Sequence, residues 1–325
     1  MSSESLPAMR VGRFAWGEEE MSLNKFRGLA WVTLIYMIFI ILWGAYVRAS
    51  GSGAGCGDHW PLCNGELIPR DVGTDTKIEL THRITSGFAL VLVLALFWVS
   101  RLKQFRTRPI QSAARWSLIL IVIEALIGAG LVLFELVGID ASMTRAFSMS
   151  AHLLNTFILL SALSLLIFRL HFPASDGLLT WADMKRQRAL ALSGFMLILT
   201  GMTGAIAALG DTLYAHLGTV PLSGYFVDGY PILMRLRLIH PVFALLAVAV
   251  LLTTQVKIVL KAAEKSVLSY LAWSVSGLAL GETVLGAVNV YLMAPIWLQI
   301  VHLGTAVLLW VTFSFQCFFC RSNDK

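Results

Sequence analysis

Four histidines, His82, His152, His240 and His302, stand in stretches so apolar that an ionisable side chain there calls for a reason. An imidazole in such surroundings is a metal ligand, a proton carrier or a hydrogen-bonded core residue. Zinc takes three or four protein ligands, and near these histidines the sequence supplies only Glu79, beside one pair, with nothing similar beside the other. Haem iron takes axial ligands on the two faces of a flat apolar ring, and histidines on facing helices of a bundle offer such a slot. The remaining histidines, His59, His171 and His216, fall in loops or at the ends of apolar runs and read as solvated.

Two side chains distinguish the pairs. Glu79 lies three residues before His82 and Arg237 three residues before His240, each one helical turn away on the ligand's face. A carboxylate beside iron or substrate can take protons or stabilise developing positive charge. A guanidinium suits a haem propionate, which it can grip with two hydrogen bonds, or it reaches along the membrane interface. The first pair therefore reads as reactive and the second as holding a bound cofactor.

Ahead of Glu79 runs "GAYVRASGSGAGCGDHWPLCNGELIP" (44–69). It is rich in glycine, but Cys56 stands where a third glycine of a dinucleotide fingerprint would fall, and no strand precedes it. Cys56 and Cys63, seven apart in this loop, are either a disulfide or two free thiols. A CxxC pair near the end of the chain, Cys317 and Cys320, has no redox fold around it and reads as packing.

The elements that must position these residues follow from composition. Of 325 residues, 57% are hydrophobic and 14% charged, with mean hydropathy +0.76, well outside the balance of a soluble domain. Apolar runs of about 20 residues fall at 26–48, 77–100, 116–137, 147–170, 189–209, 233–256, 268–291 and 296–319, predicting an all-α integral membrane protein of eight transmembrane helices. Alternate loops and helix ends carry 18 and 7 of the Lys and Arg residues, which places both termini in the cytoplasm. The net charge of +6 is mostly this asymmetry, so no nucleic-acid surface is inferred. Residues 1–24, with Glu18, Glu19 and Glu20, have neither the basic leader of a signal peptide nor an acid-poor transit sequence and read as a cytoplasmic tail. The hydrophilic segments 49–76, 171–188 and 210–232 are too short for a separate soluble core.

The chain also repeats. "KIELTHR" (77–83) aligns with "RLRLIHP" (235–241), and "IEALIGA" (123–129) with "GETVLGA" (281–287), both at an offset of 158, superposing Glu124 on Glu282 and Gly128 on Gly286. "AHLLNTFILL" (151–160) aligns with "VHLGTAVLLW" (301–310) at an offset of 150. Two pseudo-symmetric four-helix bundles are expected, 25–170 and 189–325, joined by a cytoplasmic linker at 171–188, with the same pair of histidines in each. All four sit near the start of an even-numbered helix, which puts them at one depth toward the outer face. Gly87, Gly128, Gly281, Gly286 and Gly304 either let helices part around a macrocycle or serve helix packing.

Taken together, "GAYVRASGSGAGCGDHWPLCNG", "IELTHR", "SAHLL", "RLIHP" and "VHLGTA" resemble the haem A synthase family over nearly the whole chain. The resemblance implies a membrane oxidoreductase that converts the C8 methyl group of haem O to a formyl group by successive hydroxylations with oxygen from water, giving haem A for terminal oxidases. It places the catalytic glutamate on Glu79, the substrate-haem ligands on His82 and His152, the ligands of a haem b cofactor on His240 and His302, and the family's outer-loop cysteine pair on Cys56 and Cys63. The second-half loop, 210–231, has no cysteine, so no second disulfide is expected. A bacterial inner membrane, a haem O producer, terminal oxidase assembly factors and an unnamed electron acceptor are the implied setting. A dihaem b-type cytochrome exchanging electrons with a quinone would need the same four histidines but no Glu79. A parallel-repeat transporter would show broken helices and a midplane polar site. A haem prenyltransferase would need Asp pairs to hold magnesium and pyrophosphate.

Overall fold

The computed structural model describes residues 22–70, 73–172, 187–214, 229–262 and 265–323. Nearly all of the expected tail, most of the expected linker, and His216 lie outside these residues. Among the described residues no strand forms, and eight helices are long and apolar enough to cross a membrane. They are α1 Leu23–Ala49, α2 Thr74–Val99, α3 Arg108–Leu133, α4 Met143–His171, α5 Arg188–Leu213, α6 Ile232–Lys261, α7 Val267–Tyr291 and α8 Ile296–Asn323. The protein is a multi-pass membrane protein.

Several helices begin before their apolar runs. α3 starts eight residues ahead of the expected 116, with Pro109 in its first turn, where its missing N–H is no loss. Ser142 begins α4, its hydroxyl oxygen accepting from the Arg145 N–H at 3.1 Å. Polar first turns are invisible to a hydropathy reading, so the four histidines fall in the second or third turn rather than the first two. α6 is interrupted at Arg237 and Leu238, between helical pieces Ile232–Leu236 and Ile239–Lys261. Pro241 explains the break, because it has no N–H to offer the Arg237 carbonyl four residues earlier.

α3 and α7 end alike. The N–H groups of Phe134 and Leu292 bond to Gly130 O and Val288 O, and those of Leu136 and Ala294 reach back to Leu131 O and Asn289 O. Glu135 and Met293 take the left-handed conformation between them, at φ 55° and 59°, which closes a helix by satisfying its last carbonyls. All these pairs are 158 apart.

In the packing, α1 touches α2 and α4, and α3 touches α2 and α4; likewise α5 touches α6 and α8, and α7 touches α6 and α8. The two sets meet through α4 on α5 and α8, and α1 on α5 and α8. α4 is the central helix, with 67% of its apolar window buried against 17–33% for the others. Phe157 of α4 stacks on Trp310 of α8 at 4.9 Å, and Trp310 Nε1 donates to Phe157 O at 2.7 Å. Phe157 also fits against Gly201 of α5, where a Cβ would meet Phe157 Cε2 at 2.7 Å. Outward faces carry exposed Ile35, Phe39, Trp98, Leu245, Leu260 and Trp273, a surface that suits hydrocarbon.

Candidate functional site

His240 and His302 come together. Their ring centroids are 6.3 Å apart with planes at 74°. A metal ion about 2 Å from one nitrogen of each ring requires ring centres about 6 Å apart, so the spacing fits one iron between them. His240 Nδ1 lies 3.1 Å from Thr200 O and 3.4 Å from Thr203 Oγ1, both on α5. His302 Nδ1 lies 3.0 Å from Glu282 Oε1 on α7. An ionised carboxylate and a carbonyl only accept, so each contact places the proton on Nδ1 and leaves Nε2 bare for a metal.

In the first half, His152 Nδ1 lies 2.9 Å from Glu124 Oε1 on α3. The same carboxylate accepts from Asn155 Nδ2 at 2.5 Å and from Thr156 Oγ1. The Nδ1 atoms of His82, His152 and His302 are all buried without a well-aligned hydrogen bond; the last two lie against carboxylates, and His82 has no such neighbour among the described residues. The carboxylates nearest to histidines are therefore Glu124 and Glu282, not Glu79, a correction to the reading of Glu79 as the one carboxylate near a pair. The signal was present: these two glutamates superpose in the repeat.

Each histidine rests on a glycine of a neighbouring helix. A Cβ at Gly44 or Gly204 would meet His82 Cε1 or His240 Cε1 at 3.0 Å, and at Gly286 it would meet His302 Cε1 at 3.2 Å. At Gly128 the nearest atom is His152 Nε2 at 3.7 Å. Of the glycines expected to matter, Gly128 and Gly286 face rings, Gly304 meets Leu42, and Gly87 and Gly281 face open space. Gly44 and Gly204, at an offset of 160, are the ones that sequence reasoning passed over.

Glu79 is 3% exposed, and both its oxygens are engaged. Oε1 takes Arg83, whose Nε lies at 3.0 Å, and Oε2 accepts the Cys56 N–H at 2.8 Å. Arg83 also donates to His59 O at 2.5 Å and Leu62 O at 2.6 Å. Cys56 and Cys63 form a disulfide, both sulfur-bearing residues fully buried. Thr76 Oγ1 donates to Gly55 O at 2.7 Å and Ser52 Oγ to Asp75 Oδ1 at 2.8 Å, so the cysteine loop is docked on the first turns of α2. Gly55 permits this, since a Cβ there would sit 2.5 Å from the Asp75 carbonyl carbon.

Arg237 is paired with Asp211 of α5, with Nη1 3.3 Å from Met234 Sδ. Near it, Arg48 of the cysteine-loop motif donates to Ala208 O at 2.6 Å, Thr212 Oγ1 at 2.7 Å and Gln299 Oε1 at 3.0 Å. Arg48 thus fastens α1 to α5 and α8, one turn from His302. His59 and His171 are exposed, as expected. Cys317 and Cys320 pack against the core. Among the described residues no three of His, Cys, Asp and Glu converge as a ligand set.

Sequence comparisons give the chain its relatives. The sequence model of the cytochrome oxidase assembly protein family, COX15-CtaA, matches residues 27–74 and 72–314. A protein of Thermus thermophilus named protoheme IX farnesyltransferase is 39% identical over 298 residues, covering 90% of this chain and 48% of the relative; its counterpart in a second strain of the same organism matches with the same identity and coverage. A heme A synthase of Bacillus cereus is 42% identical over 106 residues, covering 33% of this chain and 34% of that protein. The chain spans about half the length of the Thermus relatives.

Proposed function

The chain belongs to the cytochrome oxidase assembly protein family, COX15-CtaA, and from that premise we propose that it is a haem A synthase, oxidising the C8 methyl group of haem O to a formyl group. The observation that carries the reading is the His240 and His302 pair, spaced for one iron; the repeat sets His82 and His152 at the equivalent positions, with Glu124 beside Nδ1 of His152 as Glu282 is beside Nδ1 of His302. In this reading the chain forms two pseudo-symmetric four-helix bundles, supported by the matching helix ends and by the way the four helices of each set touch one another. Both termini face the cytoplasm of a bacterial inner membrane, and the histidines lie toward the outer side.

Haem O is the substrate, between His82 and His152. Haem b is the cofactor, between His240 and His302, and supplies one-electron redox chemistry. The methyl group and one water together give the formyl group, four protons and four electrons, the electrons leaving to an acceptor. In this reading Glu79, three residues from His82, receives protons. To do so it gives up one of its two contacts, the Arg83 guanidinium or the Cys56 N–H. The cysteine loop therefore holds Glu79 in reserve, and the loop's own integrity sets where that carboxylate stands. Arg237 and Arg48, one turn outward of the second pair, are the candidate partners of propionates, Arg237 by exchanging Asp211 for a ligand carboxylate.

The name of the Thermus relatives does not carry over as an activity. About half of each lies beyond the matched length, and the described aspartates of this chain are dispersed, Asp58 beside His59, Asp75 on Ser52, Asp140 on Ser142 and Asp211 on Arg237, with no pair to hold magnesium pyrophosphate. The shared polypeptide supports instead a working partnership with the enzyme that makes haem O. A dihaem cytochrome remains the second reading, favoured by the two histidine pairs alone. The test is oxidation of supplied haem O by the purified protein in water enriched in heavy oxygen, with mass analysis of the product. Label in a formyl or hydroxymethyl group is the expected result; haem O recovered unchanged while the haems still cycle electrons would establish the cytochrome.

A further inference from the structure

The four imidazoles are not held alike. His240 is tied through Nδ1 to the Thr200 carbonyl, while Nδ1 of His302 and of His152 lies against the carboxylates of Glu282 and Glu124. None of Nδ1 of His82, His152 and His302 makes a well-aligned hydrogen bond, but His152 and His302 each have a carboxylate oxygen within 3.0 Å of Nδ1, and the buried Nδ1 of His82 has neither a carboxylate nor a carbonyl beside it among the described residues. A polar partner at Nδ1 fixes both the tautomer and the plane of a ligand ring and raises its basicity, and removing one typically weakens a metal site about 10- to 100-fold. The difference is not one of space, because His82 is seated on Gly44 as closely as His240 is on Gly204. Nor is it a general looseness of the first half, since the partner of His152 is itself held by Asn155 and Thr156.

We infer that His82 is the displaceable ligand of the first pair and His152 the anchoring one, whereas both ligands of the second pair are anchored. This rests on the reading of His82 and His152 as ligands of the substrate haem and deepens it. The asymmetry matches what the two sites must do. A resident cofactor is served by two fixed rings, but a substrate that enters and a product that leaves need one iron bond that opens readily. With Nδ1 unpaired, His82 can swing away without breaking a polar contact with the protein. The same motion from His152 would strip a donor from Glu124.

The experiment compares the full-length wild type with His82→Ala and His152→Ala, each purified from haem O-producing cells and measured for haem per chain and for carbon monoxide binding after reduction. The spectrum of the second-half haem in each sample reports whether the variant is folded. Wild type should bind carbon monoxide at the first-half haem only. His82→Ala should keep both haems and bind carbon monoxide faster, by about tenfold or more, while His152→Ala should lose the first-half haem and keep the second. Glu124→Gln should loosen the first-half haem about 10- to 100-fold and leave the second-half haem closed to carbon monoxide. Equal loss of haem from the two histidine variants, or carbon monoxide entering the second-half site first, overturns the inference. A folded wild type with haem only between His240 and His302 overturns instead the parent reading that the first pair holds haem at all.

Discussion

Replacing Gly204 by alanine tests whether the seat of His240 depends on bare backbone beside it. A Cβ at this position would stand 3.0 Å from His240 Cε1 and 3.3 Å from Nδ1, inside the roughly 3.5–4.0 Å at which carbon atoms rest in contact. The ring must retreat by about half an ångström. Nδ1 now sits 3.1 Å from Thr200 O, already near the long end of an N–H···O bond, so the retreat weakens or breaks it. Overpacking costs about 1–3 kcal/mol and the lost hydrogen bond about 0.5–1.5 kcal/mol. At about 1.4 kcal/mol per factor of ten, the haem between His240 and His302 should be held roughly 10- to 1,000-fold more weakly. Haem b per chain after purification and the rate of haem transfer to excess apomyoglobin measure this. Gly87→Ala is the control, since a Cβ there meets nothing within 4 Å. Equal haem retention in the two variants would falsify the claim that the Gly204 backbone seats the ring.

Four further outcomes follow from the same contacts. Glu79→Gln should keep both haems yet yield no oxidised product, as chromatography of extracted haems would show; normal product would remove Glu79 from the chemistry. Opening the disulfide by Cys56→Ser should cost about 2–3 kcal/mol of chain constraint and lower the melting temperature, an effect that reductant reproduces in the wild type and that is absent when the variant is reduced. Arg48→Met removes three partly buried hydrogen bonds between α1 and helices α5 and α8; bonds from a charged donor are worth about 1.5–3 kcal/mol each, so detergent stability and haem b content should fall together. Glu282→Gln leaves His302 without an anionic partner and should raise the midpoint potential of the second-half haem, read by spectroelectrochemical titration, because the imidazole becomes a poorer donor.

Helix number and type were legible because apolar runs of membrane length admit little else, and the four histidines stood out against that background. Helix starts were less legible: the polar turn at Arg108 and the cap at Ser142 carry no hydropathy signal. Contacts between distant segments were the least so. Glu79 looked like a carboxylate facing a ligand site, but Cys56, twenty-three residues earlier, returns to cap one oxygen, and Arg83, its neighbour by one turn, takes the other. Glu124 and Glu282 were visible as coincident positions in the repeat, yet their meaning depends on α3 packing on α4 and α7 on α8. Arg237 was legible as a cation one turn from His240; its partner Asp211 was not, because that pairing depends on α5 lying beside α6. Position 83 of the first half corresponds to Pro241 in the second, so one aligned pair separates a helix that holds Glu79 from a helix that breaks.

The central claim is that this chain turns haem O into an oxidised haem in its first half while holding haem b in its second. The most direct measurement is the haem content of protein purified from cells that make haem O, extracted and resolved by chromatography with pyridine haemochrome spectra. Haem B together with haem A or its hydroxylated intermediate is the expected result, the oxidised haem vanishing in Glu79→Gln while haem B stays. Two haem B per chain, indifferent to the supply of haem O, would contradict it and identify an electron carrier.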